Sequence, residues 1–275
     1  MGTHTANLRG RTGTGPTTAA ASGEAAASPC PLLEPSQGGL AERFAHRVGD
    51  GHPVRVFLAA IVSGYLLLVA FMIGLGFLLT KVLLHIGGLS AWDEHVNVWL
   101  ADHRTPTLVD LSWLGSTFAG GLVIPVVVGI MLVFFALGKH WRLMAFTLFV
   151  ICVESGTYRA TSLVVHRDRP EVHRLESLPV NASYPSGHTA ATLALYGGLL
   201  ILLASRVHST AVRLVLWALV LALPAWVAWS RMLRGMHHPT DTAAAVIMGA
   251  LALLVTIFAA RAAGAADAAS RRERT

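Results

Sequence analysis

The chain has 275 residues, of which 54% are hydrophobic and only 13% charged, and its mean hydropathy is +0.58. That balance excludes a soluble protein with a large core and reads as an integral membrane protein. The formal net charge of +6 would suggest nucleic acid in a soluble chain; in this one the basic residues are read as topology markers, and no nucleic-acid partner is expected.

Residues 1 to 53 are rich in Ala, Gly, Thr, Ser and Pro, show no apolar period, and are expected to form a disordered tail. The first apolar stretch, Val54 to about Leu84, lies too far in and is too long for a cleaved signal peptide, and reads as a first spanning helix. The mixed segment Leu89 to Phe118 follows. Trp92, Val96, Trp99 and Leu100 share one helical face while Asp93, Glu94 and Asn97 fall elsewhere, so a short amphipathic helix at the membrane surface is expected. A second short helix after Pro106 uses Leu108, Leu111 and Leu114.

Gly120 to Leu137 reads as a second span, Leu143 to Val165 as a third and Ser186 to Ala204 as a fourth. Val212 to Trp229 is the fifth and Pro239 to Ala260 the sixth, with a basic tail over 263–275. The expected fold is therefore an all-α integral membrane protein, a six-transmembrane-helix bundle with short amphipathic helices in its first outer loop. Cys30 in the polar tail and Cys152 in an apolar run suggest neither a disulfide framework nor a thiolate metal site.

Six spans put both termini on one side. Arg43, Arg47, Arg55, Lys139, Arg142, Arg206, Arg213, Arg261, Arg271, Arg272 and Arg274 fall on that side, against Arg104, Arg167, Arg169, Arg174, Arg231 and Arg234 on the other. The bias puts the termini in the cytoplasm and the loops 166–186 and 230–238 outside.

Those two loops hold three polar clusters at the ends of neighbouring spans. They are His166-Arg167-Asp168-Arg169-Pro170, Pro185-Ser186-Gly187-His188, and Ser230-Arg231 through His237 to Asp241. Antiparallel helices with short connections pack as neighbours, so the clusters can converge. Ser186 reads as an N-cap, and the N–H groups at Gly187 and His188 form an anion site at a helix start. Arg169 and Arg231 can fork onto the oxygens of a phosphate. The i, i+4 spacing lets Asp241 accept from one nitrogen of His237, leaving the other free as a nucleophile. His188 can protonate the leaving oxygen and then activate water. No metal and no other cofactor is expected, because no carboxylate cage for Mg²⁺ is evident.

These residues resemble the type 2 phosphatidic acid phosphatase superfamily, the membrane lipid phosphatases. Arg169-Pro170, Pro185 to His188, and Ser230-Arg231 with His237 and Asp241 match its three-part signature in order and spacing. The resemblance implies His237 as nucleophile, His188 as general acid, Asp241 as its orienting partner, and Arg169, Arg231 and Ser186-Gly187 as phosphate ligands. It also implies a phosphatase domain over 54–262, acting on a lipid phosphate such as phosphatidate, phosphatidylglycerol phosphate or undecaprenyl diphosphate in a cell membrane, with membrane lipids around it. Ser162 stands where the family has a lysine, and Arg167 is the preferred substitute over Arg159.

Other charged residues receive plainer readings. His238 is taken as a cap or exposed neighbour, His166 and Arg234 as loop charges, and Glu154 with Arg159 as a structural pair inside the third span. Two further functional classes stay open: a vanadate-dependent haloperoxidase, and a lipid-binding or lipid-moving protein with a degenerate site.

Overall fold

The computed structural model describes residues 1–2, 30–49, 52–177 and 182–272. The regular elements among them are helices: α1 (Leu40–Val48), α2 (Pro53–Lys81), α3 (Leu89–Asp102), α4 (Pro106–Phe118), α5 (Val123–Leu137), α6 (Trp141–Val164), α7 (Gly187–Ala204), α8 (Thr210–Leu233) and α9 (Pro239–Arg272). Closing every backbone hydrogen bond within one segment is what an apolar stretch needs in lipid. α2, at 29 residues, is about 44 Å long, enough to cross a hydrocarbon core with tilt.

Five helices, α2, α6, α7, α8 and α9, are long and apolar enough to span a membrane. The expected second span is shorter than read. α5 has 15 residues, starts at Val123 rather than Gly120, and is bent 46° from α4. Taken together, α4 and α5 form a bent pair long and apolar enough for a sixth crossing, as a broken span or a re-entrant loop. The chain is thus an all-helical, multi-pass membrane protein.

Two terminal segments differ from expectation. Residues 40–48, inside the stretch read as a disordered tail, form α1, and residues 263–272 continue α9 instead of leaving it as a tail. Ala41 and Ala45 of α1 pack with Val56 and with Ala262, Ala265 and Ala266 of α9, and Phe44 meets Phe258 edge to face at 5.4 Å. Alanine has the best helix propensity, and an alanine face lets a second helix lie close. The remaining 3–29, 50–51 and 273–275 lie outside the described residues.

α9 is the axis of the bundle, packing against α2, α1, α6 and α7. Small residues set the spacing. An added Cβ at Gly249 of α9 would lie 2.8 Å from the Ala190 carbonyl oxygen of α7, and one at Gly198 of α7 would lie 2.7 Å from Leu253. Close backbone approach brings the first turn of α7 beside the first turn of α9. A single π turn over Leu193–Gly197 interrupts α7, a feature that often marks functional helices.

α2 supports the loop before α7. The Tyr184 hydroxyl donates to the Met72 carbonyl at 3.1 Å, and a Cβ at Gly76 would lie 2.7 Å from the Tyr184 ring and 2.8 Å from Val165. Gly76→Val is therefore expected to cost about 1–3 kcal/mol by overpacking. Gly74→Val, on the same helix with nothing within 4 Å, is the control, and thermal unfolding in detergent compares the two.

Candidate active site

The site forms where the last turn of α6, the first turns of α7 and α9, and the last turn of α8 meet. The described loop segments 165–177, 182–186 and 234–238 border it, with Ser183 N–H donating to the Arg167 carbonyl at 2.8 Å and Leu175 N–H to the Arg234 carbonyl at 3.1 Å. Short links between antiparallel helices put the three sequence clusters at one end of the bundle, as their order implied.

His237 is buried, and its Nδ1 lies 2.6 Å from the Ser183 carbonyl oxygen. A carbonyl only accepts, so Nδ1 carries the proton and Nε2 keeps its lone pair. Burial first, and then the nearby Arg231 charge, hold this imidazole well below the usual histidine range. Both effects favour the neutral imidazole.

Asp241 does not orient His237 in the expected way. Its carboxylate accepts from Ser183 Oγ at 2.6 Å, from the His238 backbone N–H at 2.9 Å and from Arg167, with His238 Nδ1 at 3.3 Å. The helix start explains the difference. A carboxylate in the first turn caps the free N–H groups of its own helix, and His237 lies just outside that turn. Asp241 acts on His237 at one remove, by fixing Ser183.

Arg231 is fully buried. Its Nη1 donates to Ser116 Oγ and, at 2.6 Å, to Glu176 Oε2, whereas Nε and Nη2 are buried with no partner among the described residues. Two unpaired guanidinium donors in a buried pocket are a strong demand for an anion. Arg169 is buried and donates through Nη1 to the carbonyl of Met236, next to His237. His188, half-buried in the first turn of α7, lies within the electrostatic reach of Arg231, Glu176 and Arg169.

Ser186 occupies the N-cap position, but its side chain does not cap a backbone N–H of the helix. Its Oγ pairs with Thr189 Oγ1 at 3.1 Å, and its N–H donates to the Asp241 carbonyl at 3.4 Å. Gly187 and His188 begin the helix, where N–H groups have no carbonyl a turn earlier. The structure thus gathers His237, His188, Asp241, Arg169, Arg231, Ser186 and Gly187.

Arg167 is the exception. Its Nη2 pairs with Asp93 at 2.5 Å, and its Nη1 donates to Asp241 and, at 2.7 Å, to Thr240 Oγ1. It is a buried bridge between two carboxylates rather than a phosphate ligand or a lysine substitute. Ser162 is buried and turned back onto the Arg159 carbonyl, and Arg159 is exposed. Glu154 takes a hydrogen bond from Ser155 at 2.9 Å instead of pairing with Arg159.

The residues that sequence reasoning missed come mainly from α3. Trp92 and Trp99 face outward as expected, but the opposite polar face is not in water. Asp93 and Asn97 are buried. Asn97 Nδ2 donates to the carbonyls of His237 at 3.0 Å and Met232 at 3.2 Å, and Glu94 reaches His238 Nε2 at 3.2 Å. The i, i+4 spacing of Asp93 and Asn97 was the available signal. Arg234, read as a loop charge, is buried and pairs with Glu176. Among the described residues no group of three His, Cys, Asp or Glu side chains is spaced to hold a metal ion.

Glu176 is the other unexpected member. Burial works to raise its pKa, but Arg231, Ser116 and Arg234 outweigh it and hold the carboxyl down to about 2. A depressed acid contributes stability that is present above its ordinary value of 4.5 and lost as pH falls toward 2. The unfolding free energy of the wild type should lose about 3 kcal/mol over that window, and Glu176→Gln should lack this increment. Denaturant unfolding at stepped pH measures both.

Residues 141–264 match the model of the PAP2 superfamily. The resemblance carried by the three motifs therefore holds over the segment that contains all three. The fold is similar to the crystal structure of a transmembrane PAP2-type phosphatidylglycerolphosphate phosphatase from Bacillus subtilis. The TM-score is 0.53 at 20% identity, covering 75% of this chain and 94% of that one. LpxE from Aquifex aeolicus gives a TM-score of 0.47 at 17% identity, over 60% of this chain and 94% of that one. No curated protein sequence matches the chain. Asp93, Asn97 and Ser116 lie outside the matched segment, so part of the support for this site comes from the N-terminal half.

Proposed function

We propose that this protein is a membrane phosphatase that removes the terminal phosphate of a lipid phosphate or polyprenyl diphosphate through a phosphohistidine. The observation that carries the reading is the pairing of a neutral, buried His237, its Nδ1 bonded to Ser183, with the two unpaired buried donors of Arg231.

In the first step Nε2 of His237 attacks phosphorus. An N–P bond forms as the bond from phosphorus to the leaving oxygen breaks, and His188 gives that oxygen a proton. In the second step His188 takes a proton from water, the water oxygen attacks phosphorus, and the N–P bond breaks to release phosphate and neutral His237. Arg231, Arg169 and the N–H groups at Gly187 and His188 balance the charge on the equatorial oxygens. Asp241 keeps Ser183, and through it His237, in register.

The site lies at the end of the bundle opposite the surplus of Lys and Arg, which supports an extracytoplasmic site with both termini cytoplasmic. A site at headgroup depth suits an amphiphilic substrate. The working unit is residues 54–262, with α1 and the end of α9 packed outside it.

The test is phosphate release by purified protein in detergent from phosphatidate, phosphatidylglycerol phosphate and undecaprenyl diphosphate. Release from at least one of them, absent in the His188→Ala, His237→Ala double variant, supports the reading. Equal release by that double variant would overturn it.

A further inference from the structure

A second pocket lies at the other end of the bundle, between the starts of α2 and α6 and the end of α9. It has a volume of about 610 Å³, within the range of small-molecule sites. Its wall is apolar: Val54, Phe57 and Leu58 from α2, Phe149 from α6, and Ala260 and Ala263 from α9. Phe57 and Phe149 meet edge to face at 5.0 Å. Polar groups sit only at its rim, where Arg142, Asp267 and Arg271 stand beside the exposed Trp141. Measured along α9, Ala260 is 19 residues from Asp241, roughly 28 Å. That is nearly one hydrocarbon thickness, so this pocket faces the opposite leaflet from the candidate active site.

We propose that this pocket holds a phospholipid of the surrounding bilayer, an acyl chain in the apolar cavity and an anionic headgroup on Arg142 and Arg271. Four observations point that way. The cavity is apolar inside and basic at the lip, the polarity of a lipid rather than of a free phosphate. Arg142 pairs with Glu34 through Nη1 and Arg271 with Asp267, but a guanidinium has five donors, and a carboxylate uses two of them at most. The sequence at this end is cationic, with Arg43, Arg47, Lys139 and Arg261 beside the two rim arginines, and this selects an anionic headgroup over a zwitterionic one. Finally, α6 starts at this rim with no side-chain cap at His140, so its first-turn N–H groups are available to a phosphate.

Gly264 makes the geometry possible. A Cβ there would lie 2.3 Å from Arg142 Nη2, so only glycine lets this guanidinium lie over α9 at the mouth. The Trp141 ring belongs at the same depth, at the headgroup boundary.

Native mass spectrometry of the full chain, released from detergent doped with phosphatidylglycerol and phosphatidylcholine at equal mole fraction, tests the proposal. One retained phosphatidylglycerol is expected, preferred by about fivefold to thirtyfold, the effect of one to two basic residues near a membrane surface. Arg142→Gln with Arg271→Gln should abolish the preference, and Ala145→Trp, which fills the cavity, should abolish retention of either lipid. Arg213→Gln, an exposed arginine at the same end but outside the pocket, should change neither. Equal retention in the pocket variants, or an equal loss with Arg213→Gln, would overturn the proposal. The readout does not depend on phosphatase activity.

Discussion

Phosphate release is expected to fall by about a thousandfold or more when His237 is replaced by Ala, because in the proposed mechanism the variant has no nucleophile for the first step. His188→Ala is expected to lose about a hundredfold to ten-thousandfold, the range of a single general acid–base group. The two losses should not add, since both groups serve one reaction path. Rapid quenching separates the roles. The wild type should form an alkali-stable, acid-labile phosphoenzyme, His188→Ala should form it about a hundredfold or more slowly, and His237→Ala should form none. Phosphoenzyme in the His237→Ala variant would move the nucleophile elsewhere. Asp241→Asn should slow the reaction through Ser183, so its effect should shrink in a Ser183→Ala background.

The second large effect is expected at Arg167, and it is a loss of stability rather than of binding. This guanidinium joins Asp93 and Asp241, whose side chains are 1% and 0% exposed. Arg167→Ala leaves two buried carboxylates without their cation, which costs about 3–5 kcal/mol. Arg167→Lys keeps the charge but has no planar fork to span both partners, and it should recover only part of the loss. Denaturant unfolding of wild type, Arg167→Ala, Asp93→Asn and the double variant forms a cycle whose coupling energy reports the bridge directly. A stable Arg167→Ala protein with a raised KM would return this arginine to the phosphate ligands.

The bundle was legible because membrane spans announce themselves. An apolar run of twenty or so residues has few alternatives in lipid, and five of the six runs became single helices of sufficient length. The pairing of α4 with α5 was not legible, because Asp110, Ser112 and Ser116 make the stretch after Pro106 read as a separate surface helix. The three clusters of the candidate site were legible because each is a local string at a helix end, and helix order puts those ends on one side of the bundle. What failed was everything that depends on long-range partners. Arg167 looked like a phosphate ligand by its position near Arg169, and only the fold brings Asp93 to it across 74 residues. Asp93 and Asn97 looked like a wet face because amphipathicity separates polar from apolar without saying what the polar side meets. Glu176 carried no local signal, since an acid in a polar loop is mostly solvent-exposed.

The contact between Glu176 and the two arginines has a consequence for how the empty protein exists in a membrane. Arg231 and Arg234 are buried, and a buried cation without a counter-charge is costly. Glu176 offsets one of these two charges before any ligand arrives. It engages Nη1 of Arg231 and leaves the buried Nε and Nη2 to an incoming anion. The empty pocket therefore keeps a surplus of positive charge, which favours a more highly charged anion over a less charged one of the same shape.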